Sequence, residues 1–195
     1  KKIIITISIL ILIALGFIGY KTNMFGTQSV DKDTSVTVQN YLNTMIAYNN
    51  DAVTVSMPIM NNLEIKESKV RVLAANVVDN QSFDISKMKN IYNQYLGPVP
   101  EIATSSKNIF SDLKDVKGEE LGEEYVKDVI EHYKVSIKVS EKFMKQIDQY
   151  KKYNSVKQDG LVITSSHPAI DESYDFAKNI IEVYKKELDS LKEIY

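Results

Sequence analysis

The side chains able to do acid–base or metal chemistry are few. The chain has no cysteine and only two histidines, so a neutral base must be His132 or His167. Asp128 stands four residues before His132, and on a helix that spacing puts both on one face, as an ion pair or as half of a metal site. A di-iron bundle needs two Glu-x-x-His motifs. Here residue 129, three before His132, is Val, and residue 164, three before His167, is Thr. The expectation is an exposed Asp128–His132 ion pair and a His167 that marks the start of a helix at Pro168. No phosphate-cradling GxxxxGK[ST], GxSxG or HExxH motif occurs. The reading is a protein without catalytic residues, metal or cofactor, and not an enzyme.

Surface chemistry is better represented. Lys134, Lys138, Lys142 and Lys145 recur at steps of four, four and three, which lines them along one helical ridge suited to an anionic headgroup or a cell-wall polyanion. Glu141 interrupts the ridge and is expected to pair with Lys145. Eleven tyrosines follow Tyr20. Tyr41, Tyr48, Tyr133, Tyr174 and Tyr184 fall on apolar stripes, whereas Tyr125, Tyr150 and Tyr153 are the surface candidates, since tyrosine offers an apolar body with a polar tip. The triplet Asn80-Gln81-Ser82 fits a glycosylation acceptor, a match frequent by chance.

The elements carrying these residues begin with KKIIITISILILIALGFIGYKTN. From Ile3 to Tyr20, through Leu10 and Leu15, run eighteen residues, fourteen of them apolar and none charged. As a helix rising about 1.5 Å per residue they span roughly 27 Å, close to the hydrocarbon thickness of a bilayer. A cleaved leader would stop at a small-x-small site, and bulky Phe17, Ile18 and Tyr20 continue past Ala14-Leu15-Gly16. Residues 1–21 therefore read as an uncleaved signal-anchor in the lipid bilayer through residues 3–20. Lys1 and Lys2 hold the amino terminus in the cytoplasm, and the remaining domain is extracellular, or secreted if the leader is cleaved. Without cysteine there is neither a lipoprotein anchor nor a disulfide framework.

Residues 22–33 are a polar tether, and residues 34–195 one extracytoplasmic domain. That domain carries 20 basic and 24 acidic side chains, a net charge of −4 with no basic excess for nucleic acid. The full chain has 23 lysines against one arginine, with abundant Ile, Asn and Tyr, which fits coding from an A/T-rich bacterial genome.

Helical periodicity then recurs. Tyr41, Met45, Tyr48, Ala52, Val55 and Ile59 share a face as far as Pro58, which bends or ends a helix. Residues 61–80 fit strand or helix, and Ala74 and Ala75 favour helix, with Leu63, Val70, Ala74 and Val77 on its stripe. Asp84 reads as the cap of a short helix bearing Ile85, Met88, Tyr92 and Tyr95, stopped by Gly97 and Pro98. Pro100 opens a further pattern through Ile102, Ile109, Leu113 and Val116. Residues 119–153 make a long helix, with Ile130, Tyr133, Ile137, Ser140, Met144 and Ile147 inward, acids crowding its start and lysines its end. Leu161 to Ile163 suit a brief extended contact. Ile170, Tyr174, Ala177, Ile181, Tyr184, Leu188, Leu191 and Tyr195 keep a seven-residue repeat.

The fold class expected is all-α: an antiparallel helical bundle of four or more helices, simplest as an up-and-down arrangement, preceded by the single transmembrane helix. The rival use of the last stripe is an intermolecular coiled coil, giving a homo-oligomer. Two functions fit: a binding module for a protein or cell-envelope partner, or a small-ligand-sensing module that works through a partner membrane protein.

Overall fold

The computed structural model describes residues 32–101, 110, 113, 115–156 and 167–192. The membrane span, most of the tether, most of the pattern following Pro100, and the Leu161 to Ile163 contact lie outside the described residues. Those described form four helices: α1 (Lys32–Met60), α2 (Ser68–Ile91), α3 (Gly118–Val156) and α4 (Pro168–Leu191). No strand occurs among the described residues, so the fold is all-α.

Pro58 sits in the last turn of α1, where it lacks the N–H that would donate to the carbonyl of Thr54, and the helix stops two residues later. The Asn62 side chain accepts from Glu64 N at 2.9 Å, and the Glu67 side chain accepts from Lys69 N at 3.3 Å, capping α2. Between them Ile65 is buried, its backbone carbonyl accepting from the Arg71 guanidinium. It seats against α3 at Gly122, where an added Cβ would lie 3.3 Å from Ile65 Cγ2. Glycine there brings the α1–α2 loop close to α3. Leu63, expected on a buried stripe, is instead 86% exposed because it belongs to this turn.

Residues 61–80 settle as turn and helix, and α2 runs unbroken through position 84. Asp84 caps nothing: it lies in the helix interior with its side chain turned into the core. The end at Gly97 falls where the sequence placed it. A π-helical turn, Tyr92–Leu96, closes with Gly97 N donating to Tyr92 O at 3.0 Å, and Gly97 adopts φ +105°, a conformation that side-chain-bearing residues resist. At the start of α4 the His167 ring accepts from Ala169 N at 3.2 Å, and Pro168 occupies the first turn, as its fixed φ favours.

Side-chain pairs fix the topology. Tyr92, in the π-helical turn that follows α2, donates to Asn43 of α1 at 2.6 Å, so the end of α2 meets the first half of α1. Tyr41 of α1 bonds Ser140 of α3 at 3.1 Å, and Ser56 bonds Tyr125 at 2.7 Å, so α1 and α3 are antiparallel. Tyr95, beyond α2, reaches Glu172 early in α4, whereas Gln81 meets Tyr184 late in α4, so α2 and α4 are antiparallel too. Lys151–Asp171 at 3.0 Å and Lys185–Glu141 at 3.5 Å make α3 antiparallel to α4.

With α1 up, α2 and α3 both run down and α4 returns up. The up-and-down order expected from loop length is therefore corrected: α2 and α3 are parallel across the bundle, and residues 97–117 connect the foot of one to the head of the other. Phe110 and Leu113 from that connection are buried. On α4, Ile170, Ala177, Tyr184 and Leu191 are buried within the chain while Tyr174, Ile181 and Leu188 are half-exposed. The buried members of the stripe face the other helices, and the rest stay at the surface.

Candidate functional site

Two places concentrate polar chemistry: a face of α3 and the middle of the core. Lys134, Lys138, Lys142 and Lys145 are all exposed on α3. Glu141, expected to neutralise Lys145, instead pairs across to Lys185 of α4 at 3.5 Å. None of the four ridge lysines forms an ion pair with a described residue. A groove beside the ridge is lined by Ile130, Lys134, Lys185, Leu188, Asp189 and Lys192, which gives an apolar floor with a largely cationic rim.

Of the three surface tyrosines, Tyr125 is a correction. It is fully buried, its hydroxyl bonded to Ser56, because position 125 faces α1 where the head of α3 packs. Tyr150 is half-exposed, and the side chain of Tyr153 lies outside the described residues.

The second correction lies in the core. His132, read as one partner of an exposed ion pair, is 1% exposed, and neither ring nitrogen hydrogen-bonds to Asp128 or to any other side chain. Its ring packs among Phe110, Tyr133 and Tyr184, with centroids 6.0, 5.7 and 6.1 Å away. Burial lowers its pKa to about 4, so the imidazole is neutral at physiological pH.

Around it the helices contribute polar residues at one level. Tyr41–Ser140 and Ser56–Tyr125 bracket the α1–α3 register, and midway between them Asn49 comes level with His132. On the opposite side Tyr184 donates to Gln81 Oε1 at 2.7 Å and lies 3.4 Å from Asp84 Oδ2. Tyr184 also packs on Tyr133, centroids 4.6 Å apart. Asn49, Gln81, Asp84, His132, Ser136 and Tyr184 are all buried. Together they form a polar layer that draws on all four helices.

Charge and hydrogen bonding in the layer are finely divided. Burial pushes Asp84 up to about 6, against the opposing pull of Lys87 and of the Tyr184 hydrogen bond. Tyr184 is raised well above its ordinary value, first by burial and then by the Asp84 charge. Tyr184 donates to Gln81 at the shorter contact and has Asp84 Oδ2 as a second, longer acceptor, so the carboxylate is only weakly compensated for its burial. Asn49 Nδ2 and Oδ1, Gln81 Nε2, both His132 nitrogens and Ser136 Oγ have no hydrogen-bond partner in the protein. Each such buried group costs about 1–3 kcal/mol if left unmade.

The sequence reading missed Asn49, Gln81 and Ser136, and gave Asp84 to a helix cap, because its stripes were drawn almost wholly from apolar residues. A signal was there. Leu42, Met45, Asn49, Ala52, Ser56 and Ile59 step by 3, 4, 3, 4 and 3, a stripe visible once polar members are allowed.

No family model matches the chain, and no curated protein matches it. Two solved structures share the fold. One is a DUF305 fragment from Deinococcus radiodurans, at TM-score 0.57 and 12% identity, covering 81% of this chain and 94% of that one. The other is CopM in its Cu(II)-bound form, at TM-score 0.57 and 18% identity, covering 81% of this chain and 95% of that one. At these identities the likeness shows a shared helical architecture.

Proposed function

We propose that this chain is a non-enzymatic binding module: an extracytoplasmic four-helix domain, held at the cell membrane by residues 3–20, that engages an anionic protein or cell-envelope partner. The supporting observation is the α3 ridge, where four exposed lysines have no acidic partner among the described residues and Glu141 pairs with Lys185 of α4. Unpaired surface charge of one sign steers an oppositely charged partner and speeds its association.

Replacing Lys134, Lys138, Lys142 and Lys145 together by Glu tests the reading. Cross-linking in cells is expected to recover a partner with the native chain, and roughly tenfold less with the variant, at unchanged helicity. Equal recovery by both chains, or none above an anchor-only control, contradicts it.

Copper appears in the name of one structural neighbour. The two histidines of this chain are not brought together to share such a centre. There is no cysteine, and His132 lies in the core while His167 caps α4. His167 precedes Tyr184, beside His132, by seventeen positions, or roughly 25 Å of helix. Among the described residues no group of three or more His, Cys, Asp or Glu could hold a metal ion.

A second reading, small-ligand sensing through a partner membrane protein, is favoured by the polar layer, since bundles hold ligands between helices. Thermal denaturation against amino acids, sugars and metal ions checks it. Saturable stabilisation by one of them is the expected result, and a flat response across the panel opposes it.

A further inference from the structure

We propose that the polar layer is an internal hydration site, in which water molecules bound among His132, Asn49 and Ser136, and reaching Gln81 Nε2, are part of the folded structure. The groups that need partners define the ligand. Neutral His132 presents one N–H donor and one acceptor nitrogen, Asn49 presents an amide donor and a carbonyl acceptor, and Ser136 can do either. All of these atoms are buried without a partner in the protein. Gln81 adds donors only, because its Oε1 already accepts from Tyr184 at 2.7 Å.

A ligand serving this set must donate and accept at once. A cation could take the acceptors of His132 and Asn49 but would leave the N–H donors of Asn49 and Gln81 without partners. An anion would meet Asp84, buried in the same layer and bearing the negative charge that raises Tyr184. Water supplies both functions through about three hydrogen bonds, and buried polar sites with several partners are where it is retained.

The layer also explains why these residues occupy the core. Each helix contributes to it, so water at its centre ties α1, α2 and α3 together where the apolar stripes are interrupted. Displacement of that water by any one apolar substitution would leave the remaining members unpaired. The site is independent of the lysine ridge.

The test uses the full chain in detergent micelles, labelled with ¹⁵N at histidine and asparagine. With two histidines in the chain, His167→Gln identifies the His132 signals. Cross-peaks from the His132 ring protons and the Asn49 side-chain amide to the water resonance, with the sign of a long-lived contact, are expected. Their loss from the His132 ring in Asn49→Leu is expected as well. Direct Asn49–His132 cross-peaks with no water contact in the native chain overturn the proposal. So does a one-to-one displacement of the His132 signals on titration with Cu²⁺ or Zn²⁺, which marks a cation site instead.

Discussion

Replacing Asp84 by asparagine will stabilise the protein at pH 8 by about 2–3 kcal/mol, and the gain will vanish below pH 4. Asp84 titrates at about 6 in the fold and ordinarily at 3.8. The folded state therefore binds this proton more tightly, and the corresponding stability is complete below pH 3.8 and lost as pH rises through 6. Asparagine keeps the neutral acid's shape and can donate to the Tyr184 oxygen without carrying the charge. His132 has the opposite sign. Its folded value of about 4 lies below the ordinary 6.5, so its contribution is complete above pH 6.5 and lost as pH falls through 4.

The two groups sit on either side of Tyr184, and each is worth about 3 kcal/mol over its window. In the native chain the effects nearly cancel between pH 4 and 6.5. Single substitutions unmask them. Urea midpoints measured from pH 4 to 8 should fall with acid for Asp84→Asn and rise with acid for His132→Phe, and the difference between the variants removes the contribution of other titrating groups. Parallel pH profiles for the two would contradict the assignment of both residues to the core.

Tyr184→Ala should be the most damaging single change. Truncating a buried aromatic side chain costs roughly 3–5 kcal/mol. Here it also removes the hydroxyl that satisfies Gln81 and the ring that packs on Tyr133 and His132. The orphaned Gln81 carbonyl adds about 1–3 kcal/mol. Against a total stability of about 5–15 kcal/mol, that is enough to leave much of the protein unfolded at 37 °C. Tyr184→Phe isolates the second contribution, with an expected loss of about 1–3 kcal/mol at an unchanged slope in urea denaturation. Equal stability of the Phe variant and the native chain would show that the hydroxyl is not holding the layer.

What the sequence made legible was the apolar periodicity and its punctuation. Pro58, Gly97 and Pro168 end or begin helices where read, and the charge-polarised stretch became α3 with its termini within a few residues. Asp84 was misread because carboxylates favour helix caps, and nothing local reveals that Tyr184, a hundred positions on, accommodates one inside a helix. Tyr125 and His132 were misread for the same reason: an exposed face is inferred from polarity, and here polarity turns inward to meet Ser56 and the aromatic cluster. The order of α2 and α3 was not legible either. Loop length sets which helices can be neighbours, whereas direction across the longer connection is decided by packing such as Ile65 against Gly122 and Ser56 against Tyr125. Glu141 could be assigned to Lys145 by spacing alone, but its competitor Lys185 comes from another helix.

A pH titration of the His132 imidazole by NMR in the full chain tests most directly the claim that this histidine lies neutral in the bundle's interior. The ring should stay neutral down to pH 5 and protonate near pH 4. A midpoint near the ordinary value of 6.5 would place His132 in water and dissolve the polar layer with it.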